Sequence, residues 1–206
     1  MHNLDFITAG VPLNRAKKAL IMVHGRGGTA EDILSISEHL HVDDFALIAP
    51  RGTRNSWYPY SFLMPPIQNE PWLSSALGIL DQLCIQLVEG GIAMEQIYFL
   101  GFSQGACLTL EYVGRHGRKY GGVVGFTGGL IGDKVDSQNY QGDFAGTPIF
   151  IGSSNPDSHI PVQRVLDTVA ILESHHARVN YTLYEGMGHT ICQDEIDQAN
   201  TLIFTP

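Results

Sequence analysis

Cysteine is scarce in this chain: Cys84, Cys107 and Cys192 are odd in number and share no spacing pattern, so no disulfide framework is expected. A reducing, cytoplasmic setting follows from that. No apolar run approaches the ~18 residues a membrane span requires, so stable membrane insertion is not expected. The N-terminal MHNLDFITAG lacks the basic start and the apolar core of a signal peptide. Basic residues are few as well. With 12 Lys and Arg against 21 Asp and Glu the net charge is −9, which repels phosphate backbones and argues against a nucleic-acid partner. No Pro/Ser-rich or charged run divides the chain, and one domain over residues 1–206 is expected.

What the chain does have is an alternation of short apolar runs with amphipathic stretches. Residues 19–23 (ALIMV), 45–49, 97–100 (IYFL), 123–126 and 148–151 are apolar without a polar partner at every second place, the pattern of strands covered on both faces. Residues 4–8 read as a first edge strand, and 179–184 alternate like a last strand. Thr29 can cap a helix through Ser37, with Glu31 and Asp32 in its first turn. Residues 72–89 place Leu73, Ala76, Leu77, Leu80, Leu83 and Leu87 on one stripe, and Gly90 and Gly91 end that helix. Further helices are predicted over 162–174 and 193–203. Strand followed by helix throughout predicts an α/β fold, a mostly parallel central sheet with helices on both faces. Ligands bind beyond the carboxyl ends of the strands in such sheets.

Residues 96–105 read QIYFLGFSQG, and helical spacing resumes with Ala106, Leu110 and Val113. Ser103 therefore sits at a strand-to-helix turn, a nucleophile elbow in which Gly101 and Gly105 allow strand and helix to pass closely. A serine hydroxyl needs a base, and the base needs a carboxylate that fixes its tautomer. Asp157 follows one late strand and His189, between Gly188 and Thr190, follows the next. Ser103, Asp157 and His189 stand in the chain order of an α/β-hydrolase triad. Asp133, Asp136 and Asp143 are rivals for the acid, in a looser loop after the preceding strand. The developing oxyanion needs two backbone N–H groups, and those of Gln104 and Arg26 are the candidates. The Arg26 side chain reads as a solvated surface arginine. Residues 51–71 have no period and are rich in aromatics, which marks a functional loop. Trp57, Tyr58 and Phe62, with Leu130 and Ile160, are expected to line the acyl pocket.

Residues 23–30 also match the dinucleotide pattern GxGxxG/A between a strand and a helix. That reading needs an acid after the next strand, where the chain has Ala49-Pro50-Arg51. A hydrolase fold without catalysis, used as a binding module, is the other alternative.

The runs HGRGGTAED, GFSQGA, the Asp157 turn before Pro161-Val162, and GMGH resemble the phospholipase/carboxylesterase family of α/β-hydrolases, over nearly the whole chain. The resemblance implies a serine esterase without a large cap domain, acting on esters, thioesters or lysophospholipids with neither cofactor nor metal. It also implies Ser103, Asp157 and His189 as triad and Arg26 and Gln104 as oxyanion donors; whether the chain forms a homodimer is left open. Gly27-Gly28 stands where acyl-protein thioesterases carry glycine-aspartate, and Trp57-Tyr58-Pro59 looks closer to bacterial carboxylesterases. Cys107, four residues after Ser103, reads as a buried core thiol.

Overall fold

Strand β2 (Lys18–Val23) explains why the sheet is covered on both sides. Ala19, Ile21 and Val23 pack into one apolar cluster, Leu20 and Met22 into a second on the opposite face, and none of them touches solvent. Burying side chains of this size contributes about 1.5–3 kcal/mol each. The computed structural model describes residues 1–205. Its strands are β1 (Phe6–Gly10), β2, β3 (Phe45–Pro50), β4 (Ile97–Phe102), β5 (Gly122–Phe126), β6 (Pro148–Asn155) and β7 (Arg178–Glu185). They form one seven-stranded sheet in the order β1-β3-β2-β4-β5-β6-β7. Among the described residues only the β1–β3 pair is antiparallel.

Helices α2 (Trp72–Glu89), α3 (Gln104–Arg115) and α4 (Val162–Ser174) supply leucines and valines to the first cluster. Helices α1 (Ala30–Ser35) and α5 (Gln193–Leu202) cover the other face with Ala30, Ile33, Ile196 and Ala199. Among the described residues no helix is long and apolar enough to cross a membrane.

Three elements depart from the sequence reading. The edge strand lies at Phe6–Gly10, not at 4–8, because its ladder runs Phe6 to Pro50 through Gly10 to Ala46. Helix α1 begins as predicted, with Thr29 and Asp32 forming a reciprocal capping box, but ends at Ser35 and tightens into a 3₁₀ turn, Ile36–His39. Strand β6 continues beyond Ile151 to Asn155. Gly152-Ser153-Ser154 have turn composition; Gly152 is held between Phe126 of β5 and Thr182 of β7, and the pairing with Leu183 and Tyr184 of β7 keeps Ser153 and Ser154 extended.

Candidate active site

Ser103 is the hinge between β4 and α3, with φ 54° and ψ −118°. A side chain other than glycine is strained there by about 1–3 kcal/mol, so its surroundings must hold it. The Ser103 N–H extends the β4–β5 ladder to the Phe126 carbonyl at 2.9 Å, and its own carbonyl accepts the Cys107 N–H at 2.9 Å. The flanking glycines are steric requirements. A Cβ on Gly105 would run into the Val23 and His24 carbonyl oxygens, and one on Gly101 into the Gly105 carbonyl.

The base comes from the turn after β7, where Gly186 and Gly188 take φ of 66° and 80°. His189 Nε2 lies 2.8 Å from Ser103 Oγ, and its Nδ1 lies 2.9 Å from Asp157 Oδ2. The other Asp157 oxygen accepts the His159 and Ile160 N–H groups at 2.7 and 2.8 Å. Burial pushes the Asp157 carboxyl up, but those two N–H groups and the His189 ring outweigh it and hold its pKa below the ordinary carboxylate value. Ser154 ties the two turns together: its Oγ accepts the Gly188 N–H at 2.9 Å and donates to the Pro156 carbonyl at 3.1 Å. An ionised acid, an oriented imidazole and a hydroxyl in line can move a proton from Ser103 to His189.

Two backbone N–H groups were expected beside the serine. That of Gln104 opens α3 and is one of the donors a helix leaves without an internal partner. Gly25 abuts the elbow, since a Cβ there would stand 3.4 Å from Ser103 Cβ, and the next N–H is that of Arg26. His24 sets that peptide. The Gly52 N–H donates to His24 Nε2 at 3.0 Å, so the ring proton is on Nδ1, which donates to the Gly25 carbonyl at 2.8 Å. Burial lowers the His24 pKa, outweighing the Gly25 carbonyl and the Asp32 and Glu31 carboxylates, which favour the cation. Of the glycines in this turn, Gly25 packs against Phe102 and Ser103 of the elbow, while Gly27 takes a φ of 79°.

A model of the phospholipase/carboxylesterase family matches residues 10–205. The chain belongs to the phospholipase/carboxylesterase family. It is similar to the crystal structure of a phospholipase/carboxylesterase from Dyadobacter fermentans, at 53% identity and a TM-score of 0.98, over 99% of this chain and 98% of that one. Acyl-protein thioesterase 1 of Saccharomyces cerevisiae is 25% identical over 222 residues, 97% of each chain. The Bacillus cereus carboxylesterase shares the fold at 20% identity and a TM-score of 0.77, over 95% of this chain and 91% of that one. The protein is a carboxylic ester hydrolase with the α/β-hydrolase fold and no large cap.

In this phospholipase/carboxylesterase family member Ser103 and His189 open onto a cleft of about 700 Å³, walled by Tyr58, Phe62, Leu63 and Ile160 among others. Tyr58, Phe62 and Ile160 were expected there. Trp57 and Leu130 were expected too and do not line it. Trp57 is fully buried beneath the wall, where its Nε1 donates to the His24 carbonyl at 2.9 Å and its ring packs 4.8 Å from the His24 ring. Leu130 is fully buried in the core, its N–H bonded to Thr168 of α4. The Arg26 side chain is exposed as expected but not free. It donates to Ser56 Oγ and to the Pro59 and Tyr60 carbonyls. Burial pushes the Cys107 thiol up to about 12, so it is no nucleophile at neutral pH although it touches the cleft.

His159, whose ring lies 4.8 Å from that of His189, also lines the cleft and was not singled out from the sequence. Its place two residues after Asp157 was the signal available. Ser154 and His24 gave no signal, because their roles depend on partners brought together only by the fold.

Proposed function

We propose that Ser103, His189 and Asp157 form a catalytic triad that hydrolyses small carboxylic esters through an acyl-enzyme on Ser103. The observation that carries this reading is the unbroken hydrogen-bonded line from the strained serine through the imidazole to a buried, ionised carboxylate. His189 takes the Ser103 proton as Oγ attacks the ester carbonyl, and the imidazolium is stabilised by Asp157. The carbonyl oxygen turns negative between the Arg26 and Gln104 N–H groups. His189 then gives its proton to the departing alcohol. A water molecule, deprotonated by the same imidazole, attacks the acyl-enzyme carbonyl, and the imidazolium returns that proton to Ser103 Oγ as the acid is released. Tyr58, Phe62 and Ile160 form the acyl-binding wall. Likeness to the Dyadobacter phospholipase/carboxylesterase supports an oxygen ester over a thioester as preferred substrate. The work is done by a single domain, and three unpaired cysteines suit a reducing cytoplasm.

A fluorophosphonate probe should label the protein once, and Ser103→Ala should lose both label and p-nitrophenyl ester hydrolysis. Labelling that survives the substitution places the nucleophile elsewhere.

A further inference from the structure

Residues 56–60, of which Tyr58, Pro59 and Tyr60 line the cleft, belong to no helix or strand, so the backbone polar groups of this segment must find partners outside regular structure. Side chains provide most of them. Gln104 is buried, and its Oε1 accepts the Trp57 N–H at 2.9 Å while its Nε2 donates to the Tyr58 carbonyl at 2.8 Å. The Arg26 guanidinium reaches Ser56 Oγ at 3.2 Å and the carbonyls of Pro59 and Tyr60 at 2.9 and 2.7 Å. All three acceptors are neutral oxygens, and each bond is strengthened by the arginine charge. The Arg26 carbon Cζ also stands over the Tyr58 ring at 5.9 Å.

These two side chains belong to the residues whose main-chain N–H groups the proposed mechanism assigns to the oxyanion. We propose that Arg26 and Gln104 are positioning residues whose side chains clamp the 56–60 wall to the oxyanion site, so that the fit of the acyl group is read out in turnover. The inference rests on the triad reading above and adds a function for side chains which that reading does not use. Tyr58, Pro59 and Tyr60 line the cleft, and their carbonyls are the atoms gripped. A well-fitting acyl chain leaves the wall, and hence both N–H groups, in place. A badly fitting one pushes the carbonyls and shifts residues 26 and 104 with them. Displacing a stabilising group by about 1 Å can cost on the order of 10² in rate, so the penalty falls on kcat more than on KM.

The test uses Arg26→Ala and Gln104→Met, both of which keep the main-chain N–H. Neutral p-nitrophenyl esters from acetate to octanoate, and one whose acyl chain ends in a carboxylate, are assayed with wild type and variants, alongside thermal melting and fluorophosphonate labelling. The expected result is a fall in kcat of about tenfold to a hundredfold for the preferred ester, KM within about threefold, and a flattened chain-length profile. Millimolar guanidinium should restore part of kcat to Arg26→Ala and none to Gln104→Met. A lower melting temperature with kcat and profile unchanged overturns the clamp, as does a rise in KM alone. A loss confined to esters bearing an anionic group also overturns it, because Arg26 would then be contacting the substrate directly. Failure of the triad reading is seen separately, as label and activity that persist in Ser103→Ala.

Discussion

Asp157 divides its two oxygens between two tasks. Oδ1 is held by the His159 and Ile160 N–H groups, and Oδ2 accepts the hydrogen bond of His189 Nδ1–H. Asparagine can keep the first task, because its carbonyl still accepts both N–H groups. Its amide then points N–H at His189 Nδ1, which forces the ring proton onto Nε2, toward Ser103. The imidazole becomes a donor where an acceptor is needed. Asp157→Asn should therefore fold normally and lose about 10⁴ in kcat. Asp133→Asn, Asp136→Asn and Asp143→Asn should stay near wild type, since the last two do no more than bond neighbouring loop residues, Gln138 N–H for Asp136 and Ala145 N–H and His176 for Asp143. Steady-state kinetics on the four variants decide the matter: an inactive enzyme among those three, with Asp157→Asn active, would move the acid to the loop after β5.

At the level of elements, periodicity made most of the architecture legible. The limits of α2 and α4 could be read from their stripes, and β2, β3, β4 and β5 from runs of buried apolar residues, because those signals are local. The turns holding Ser103, Asp157 and His189 were legible for the same reason: each follows a readable strand. What escaped was set by distant partners. The end of β6 is an extended strand only because β7 pairs with it, and Trp57 lies under the wall because the His24 carbonyl and Gln104 are there to receive its two N–H groups. An aromatic in a long loop could not be assigned from sequence to the cleft or to the layer below. That difference is measurable. Trp57→Ala should cost roughly 3–5 kcal/mol in urea unfolding while leaving the ester chain-length profile unaltered, since the alanine keeps the N–H that Gln104 accepts. Phe62→Ala should alter the profile toward longer acyl groups. An unchanged profile in Phe62→Ala would remove Phe62 from the pocket.

Over the whole molecule the −9 net charge is carried on the surface, with a few carboxylates taken inside, and Glu195 is the one whose environment opposes ionisation most. It stands at the third position of α5, where Cys192, a weak cap, leaves the helix entrance to be closed by Glu195 Oε2 accepting the Cys192 N–H at 2.9 Å. Its Oε1 is buried with no hydrogen-bond partner among the described residues, in space that exists because β6 has glycine at 152: a Cβ there would collide with the carboxyl. Burial raises the pKa from 4.5 to about 7, the Cys192 N–H pulls down, and Asp194 adds a smaller upward push. A carboxyl raised on folding stabilises the native state fully below its unfolded value and loses that contribution as pH rises through the folded one. Glu195 should therefore make the protein less stable at pH 8 than at pH 5, by up to about 3 kcal/mol, with the change spread between pH 4.5 and about 7. Glu195→Gln keeps a carbonyl oxygen for the Cys192 N–H and cannot ionise, so it should flatten this dependence and exceed wild type in stability at pH 8. Urea midpoints of both proteins at pH 5, 6, 7 and 8 test it, and two parallel curves would mean that Glu195 ionises at an ordinary value despite its burial.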